Sequence, residues 1–485
     1  MQPLSESQFD PSIKGSLPSG FHWGYATSAV QIEGAWNQGG KGQSIWDTFC
    51  HSPGRIKDNS TADDACLSYQ LHEQDIARMK EYGVTAYRFS LSWSRIIPLG
   101  GKDDPVNEEG IAFYNTLIDT LLRNGITPFV TLFHWDLPSS LYERYRGMLD
   151  QAQYAPDFVR YAQVCFERFG DRVKHWITYN EPALVARAGH GEGRHAPGHI
   201  SPTEPFIVAH TQLVSHGHVC AMYKREFQPT QNGHIMITLD GGWSEPWDAD
   251  DPRDVEAAQR ATEFEIAWFA DPLFGSGECD YPASMRAQLG DCLPHFTPEE
   301  KILVRGSSEF YGMNSYTSYF VKHRNESPEE GDFRGNVIRL DQNKAGVERG
   351  IESDTPWLRT APWGWANLLR WIWNRYHVPI YITENGTTAK GELEFRPRSP
   401  DDILEDPHRI EFYRSYLAEV AKACQEGIII KSYFAWSLLD NWEWALGYTA
   451  RFGVTWVDFD SPEKTRHAKR SAYFLKDFFQ HLKRS

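Results

Sequence analysis

The 485-residue chain lacks a basic surplus, with 49 Lys and Arg against 65 Asp and Glu and a formal charge of −16. A nucleic-acid reader needs a positive footprint for the phosphates, so that class of partner is excluded, and an acidic chain has no pull toward anionic membranes. No apolar run approaches the ~18 residues that span a bilayer. The first 20 residues, MQPLSESQFDPSIKGSLPSG, hold no apolar stretch of the signal-peptide kind. The final HLKRS is no retention or peroxisomal address, which favours a cytoplasmic protein. The sequons at Asn59, Asn325 and Asn385 are then idle. Cysteines are few, seven in all, with no Cys-x-x-Cys pair and no zinc-like spacing. An odd, scattered set fits free thiols in a reducing compartment better than a disulfide framework. No phosphate loop is present, and Gly189-x-Gly191-x-Gly193 has the wrong spacing for a dinucleotide loop.

Aromatic residues are plentiful, 18 of them Trp, and part of that excess suits platforms that stack on sugar rings. The most informative stretch is Val378 to Gly386, VPIYITENG. It reads as a buried parallel strand, apolar on both faces, that ends abruptly in Glu384, Asn385 and Gly386. A carboxylate at the end of a buried strand is costly unless it is paired, hydrogen-bonded or used. Gly386 is read as the residue that permits a sharp turn. His175 to Pro182, HWITYNEP, repeats the design and ends in Asn180 and Glu181. If both strands belong to one barrel, two carboxylates face one mouth, which is the requirement for glycoside hydrolysis.

These two stretches, TYNEP and ITENG, resemble the paired signatures of glycoside hydrolase family 1, the β-glucosidase family. The similarity runs from about Phe21 to about Phe479. It implies that Glu181 is the acid/base and Glu384 the nucleophile, with retention of anomeric configuration and no cofactor or metal. Retaining enzymes hold the two carboxyls about 5–5.5 Å apart, and that separation is expected here.

Taken in order, the chain alternates strands and helices eight times, which predicts a single (β/α)8 barrel over 21–485 with long loops, preceded by an arm at 1–20. The first strand, Phe21 to Val30, leads to Gln31, whose amide suits neighbouring sugar hydroxyls or, equally, a backbone contact in a loop. The second, Thr85 to Ile97, buries Arg88, which needs a carboxylate partner and is placed beside Glu384. The third, Thr127 to Asp136, ends at His134. The sixth, Glu309 to Ser318, ends at Asn314 and Tyr316. The eighth, Lys431 to Asn441, carries Trp436 and precedes Glu443 and Trp444.

The resemblance implies that Gln31, His134, Asn180 and Glu443 bind sugar hydroxyls, with Trp436 as floor and Trp444 beside it. It implies that Tyr316 touches the nucleophile and that Asn314 supports the site. Trp357 stands near the family's aglycone-side Trp, with a spacing to Pro362 one residue longer than the family pattern.

Residues 183–201 are expected to be a loop walling the entrance. His190, His195 and His199 within it are set aside as metal ligands, because no carboxylate or thiol lies at ligand spacing. Residues 322–356, rich in charge, Gly and Asn, are expected to be the least structured region and a mobile lid. Residues 387–405 read as a polar segment, Tyr448 to Asp460 as a barrel-closing segment, and Arg466 to Lys483 as a final helix. Phospho-glycosidase relatives lack the counterpart of Glu443, thioglucosidase relatives carry Gln for Glu181, and silent relatives lose one of the two glutamates. The chain therefore reads as a β-glucosidase acting on a small-molecule β-glucoside. A silent sugar-binding or receptor-like relative is the rival reading, and transglycosylation is left open.

Overall fold

The computed structural model describes residues 9–394 and 405–483. Eight short apolar runs pair edge to edge into a closed parallel barrel. They are β1 (His22–Ala26), β2 (Ala86–Ser90), β3 (Thr127–Phe133), β4 (His175–Asn180), β5 (His234–Asp240), β6 (Tyr311–Asn314), β7 (Ile380–Asn385) and β8 (Ile430–Trp436). Each pairs with its sequence neighbours, and β8 pairs with β1 to close the ring. Helices pack outside, among them Ser68–Glu81, Glu108–Arg123, Gln151–Phe169, Glu204–Met222, Trp363–Tyr376, Pro407–Gln425 and Arg470–Leu482. This is the expected (β/α)8 barrel.

Local chemistry accounts for these elements. The helix Glu108–Arg123 starts where the Asn107 side chain accepts from the Glu109 N–H. Its first turn carries Glu108 and Glu109 and its last turn Arg123, each sign facing the opposite end of the helix dipole. Alternation along the strands sends one set of side chains inward. Ala26, Ala86, Phe129, Ile177, Met236, Tyr381, Phe434 and Trp436 meet inside the barrel and form the floor on which the cavity rests. The other set packs against the helices in the larger core.

Several sequence boundaries shift. Strands β1 and β2 stop at Ala26 and Ser90, and the apolar runs continue as short buried helices, Ala29–Ile32 and Trp93–Ile96. Periodicity cannot separate a buried strand from a short buried helix, which is why both runs read as one strand. Gln31 consequently sits on a helix. Residues 183–201 are not all loop, since Pro182–Leu184 and a π-helical turn at Val185–Gly191 occupy the first half.

The segment 322–356 is also ordered. Strands Ser318–His323 and Val337–Leu340 pair antiparallel beside Trp243–Pro246, and Ile351–Glu352 pairs with Arg359–Thr360. Its charges are paired internally. Arg349 is buried, bonding Asp341 Oδ1 at 2.6 Å, Thr317 Oγ1 at 2.8 Å and the Trp357 carbonyl at 2.9 Å. Tyr448 to Asp460 does not close the barrel. It leads into Thr455–Val457, which forms a separate hairpin with Arg466–Ala468, and the final helix begins only at Arg470. Asp406 stands at the N-cap of the helix Pro407–Gln425, and its carboxylate bonds the Arg409 side chain and the Ser471 N–H but caps none of the helix's first backbone N–H groups. Residues 1–8 of the arm and 395–404 of the polar segment lie outside the described residues.

Candidate active site

The C-terminal ends of the strands surround a cavity of about 550 Å³. Glu181, Glu384, His134, Asn180, Asn314, Tyr316, Trp357, Trp436, Glu443 and Trp444 line it. Two residues singled out in the sequence stand one layer behind. Arg88 is fully buried beneath Glu384, and Gln31 is fully buried beneath Glu443.

Glu384 sits at the end of β7. Arg88 Nη1 donates to its Oε1 at 2.5 Å, and the Tyr316 hydroxyl donates to its Oε2 at 2.6 Å. Arg88 also donates to the Thr383 carbonyl at 3.1 Å, to Thr131 Oγ1 at 3.2 Å and to Asn180 Oδ1 at 2.5 Å. A buried guanidinium loses its hydration, and this set of acceptors with one carboxylate offsets that loss. Burial, followed by the charge of Glu384, keeps the Tyr316 phenol well above its ordinary pKa, so it remains a donor. Gly386 has an ordinary φ, so the sharp-turn reading is corrected. A Cβ there would stand 1.8 Å from the Trp436 carbonyl oxygen, and glycine is needed because β7 and β8 approach so closely.

Glu181 follows β4 directly and has a left-handed backbone, φ 47°. Trp135 and Trp444, also on the cavity wall, share that conformation. Such residues cost of order 1–3 kcal/mol each and persist where surrounding packing holds them. Asn314 Nδ2 donates to Glu181 Oε1 at 2.7 Å, and among the described residues no cation pairs with this carboxylate. Burial first, and the nearby Glu384 charge second, push the Glu181 carboxyl well above its ordinary pKa. The two glutamates thus occupy unequal environments, one between a guanidinium and a phenol, the other dry and beside an anion.

The opposite edge of the cavity is also fixed by hydrogen bonding. Asn180 Oδ1 accepts from Arg88 and from Asn314 Nδ2, which fixes its amide so that Nδ2 faces His134 Nε2 at 3.0 Å. His134 Nε2 is then the acceptor and Nδ1 carries the proton. That Nδ1 is buried with no protein partner, although its ring lines the cavity. Burial, then the Arg88 charge, hold His134 neutral. Gln31 Nε2 donates to Asn441 Oδ1 at 2.9 Å and to Glu443 Oε2 at 3.1 Å, and Ser28 fixes its carbonyl. Burial and then the charge of Glu384 push Glu443 up to about 8. A carboxyl raised on folding favours the folded state below its ordinary pKa and loses that contribution as pH rises through the folded value. For Glu443 that window runs from 4.5 to about 8, so stability falls as pH rises through it while the folded-state carboxyl stays largely protonated at neutral pH.

The sequence reading missed part of the wall. Asp240 ends β5, and Arg187 Nη2 donates to its Oδ2 at 2.9 Å. Glu265 pairs with Arg339 at 2.6 Å, and Glu192 pairs with Arg194 and Arg334, all at the cavity. An acid ending the apolar run IMITLD is the same signal that marked Glu384 and was available for Asp240. The arginines come from distant loops and carry no such signal. The reason for dismissing the histidines also fails, since Glu204 brings a carboxylate to His190 and His199.

Comparison with known proteins points to one family. The family model described as Glycosyl hydrolase family 1 matches residues 13–483. Beta-glucosidase 1B of Phanerodontia chrysosporium is 46% identical over 474 residues, covering 96% of this chain and 85% of that protein. The crystal structure of the β-glucosidase from Trichoderma harzianum superposes with a TM-score of 0.93 at 50% identity, covering 96% of this chain and 98% of that one. A rice β-glucosidase mutant in a covalent complex with Glc superposes with a TM-score of 0.89 at 42% identity, covering 97% and 99%.

Proposed function

The chain belongs to glycosyl hydrolase family 1 and is a glycoside hydrolase of the β-glucosidase type, and on that premise we propose that it removes terminal β-D-glucosyl residues with retention of configuration. The observation that carries the mechanism is the unequal pair of glutamates. Glu384, held by Arg88 and Tyr316, is the nucleophile. Glu181, kept protonated by burial and by the Glu384 charge, donates to the leaving oxygen. Attack forms a glycosyl ester on Glu384 and breaks the glycosidic bond. The ester removes the anion, the Glu181 pKa falls, and Glu181 then takes a proton from the water that attacks the anomeric carbon, breaking the ester to release the sugar and restore the Glu384 carboxylate. The rice relative's covalent complex with Glc supports this two-step course. An alcohol in the mouth can replace that water, which gives transglycosylation.

His134 Nδ1, an unpartnered buried donor, bonds a sugar hydroxyl, and Asn180 bonds its neighbour. Glu443, with Gln31 behind it, takes the far hydroxyls, while Trp436 lies under the ring with Trp444 beside it. Asn314 orients Glu181. Trp357, 45% exposed and edge-on to Tyr316, is the platform for the departing group. Cellobiose, short cello-oligosaccharides and aryl glucosides fit a mouth that offers an aromatic ring and several charged pairs. Residues 21–485 act as one catalytic unit, with residues 1–20 as an arm. Phe9, Ile13 and Leu17 are buried, and Phe9 packs on Phe474 and Phe478 of the final helix. All seven cysteines are free thiols, which suits a reducing compartment such as the cytoplasm. No helix among the described residues is long and apolar enough to cross a membrane.

Steady-state release of p-nitrophenol from β-glucoside, β-galactoside and 6-phospho-β-glucoside tests the assignment. Strong release from the plain β-glucoside and weak release from the phosphorylated one is expected. Release only from the phosphorylated substrate, or from none, overturns it.

A further inference from the structure

Outside the catalytic cavity, three donor side chains from three separate segments converge. His190 lies in the π-helical turn Val185–Gly191, His199 in the loop after it, and Glu204 opens the helix Glu204–Met222. One donor atom from each falls within 4.8 Å of the other two. Glu204 Oε2 stands 2.6 Å from His199 Nδ1 and 3.7 Å from His190 Nδ1. The second distance exceeds a hydrogen bond. His190 Nδ1 is buried and has no hydrogen-bond partner, on a side chain only 5% exposed. A buried polar atom left unpaired and aimed at a carboxylate calls for a third party between them.

We propose that His190 Nδ1, His199 Nδ1 and Glu204 Oε2 bind a zinc-class divalent transition-metal ion, with water in the fourth position. Two imidazoles and one carboxylate are a donor set that zinc accepts in tetrahedral geometry. The same set favours nickel, copper and zinc over magnesium and calcium, which prefer all-oxygen shells. The outer shell is in place. His199 Nδ1–H donates to Glu204 Oε2 and the Tyr142 hydroxyl contacts His199 Nε2; ligation moves the imidazole proton to Nε2, where Tyr142 stands to accept it. Arg146 opposes a cation, but it approaches the other carboxylate oxygen, Oε1, at 3.4 Å.

The ion would clamp both ends of the eight-residue span between the histidines. That span carries Glu192, Arg194 and His195, which line the catalytic cavity, whereas the three ligands do not. The site is therefore a staple for the cavity wall and takes no part in the chemistry.

The test uses the full chain stripped of metal. Zinc chloride should raise Tm by about 2–3 °C at a hundredfold excess over Kd, with one ion per chain by calorimetric titration, and magnesium chloride should not. His190→Asn and Glu204→Gln should each lose the zinc shift while keeping metal-free turnover of p-nitrophenyl glucoside. His51→Ala is the control for a second donor group, Cys50, His51 and Asp63, and should keep the shift. Should either variant fold poorly, the cobalt-loaded wild type decides by the visible absorption of a tetrahedral ion. No zinc shift in the wild type, a shift that survives both variants, a shift lost in His51→Ala, or an octahedral cobalt spectrum each overturns the proposal.

Discussion

Glu384→Ala should lower kcat on a plain β-glucoside by on the order of 10⁵-fold, as expected when a nucleophile that acts as part of a unit is removed. The substitution also strips the Arg88 guanidinium of its only carboxylate partner among the described residues. Breaking a buried pair from one side typically costs about 3–5 kcal/mol, so Glu384→Ala is expected to unfold several degrees earlier than the wild type. Glu384→Gln separates the two effects. Its amide oxygen still accepts from Arg88 and keeps most of the stability, yet it cannot form the glycosyl ester. Equal loss of turnover in both variants, with unequal loss of Tm, is the predicted pattern. Turnover that follows Tm instead would assign Glu384 a merely structural place.

Glu181→Gln should lower kcat/KM by about 10²–10⁴-fold for a leaving group that needs protonation, and much less for an activated dinitrophenyl glucoside. The pH profile supplies a second readout. Glycosylation requires protonated Glu181, so wild-type kcat/KM falls as pH rises through its raised pKa. The variant has no titrating group there and should lose that alkaline limb on the activated substrate. Persistence of the limb in Glu181→Gln would move the acid role to another group, of which Glu443, at about 8, is the obvious candidate.

Much of this site is legible in the chain because a strand leaves a plain record. Glu181 and Glu384 each end an apolar run with a carboxylate that a core cannot tolerate unaided, and Arg88 interrupts another run with a charge. Those three positions follow from local cost alone. Glu443 carries a local mark too, a charge set between Trp442 and Trp444, whereas Trp436 is placed by the family resemblance alone. What could not be read is the meeting of distant segments. Arg187 and Asp240 are separated by 53 residues, and Arg339 and Glu265 by 74. Nothing in either neighbourhood encodes the partner. The segment 322–356 misled for the converse reason. Its low apolar content suggested a lid, but Arg349 and Asp341 satisfy each other and build an ordered hairpin. Gly386 shows a third limit, since close approach of one backbone to another leaves the same residue type as a tight turn.

The central claim, that Glu384 forms the covalent glycosyl-enzyme, is tested most directly by trapping it. A 2-deoxy-2-fluoro-β-glucoside with a good leaving group slows both steps, the second more, and lets the ester accumulate. Intact-mass measurement should show one deoxyfluoroglucosyl unit per chain, and peptide mapping should place it on Glu384 in the sequence ITENG. A burst of leaving group with no mass increase, or the unit on any other residue, would contradict the account.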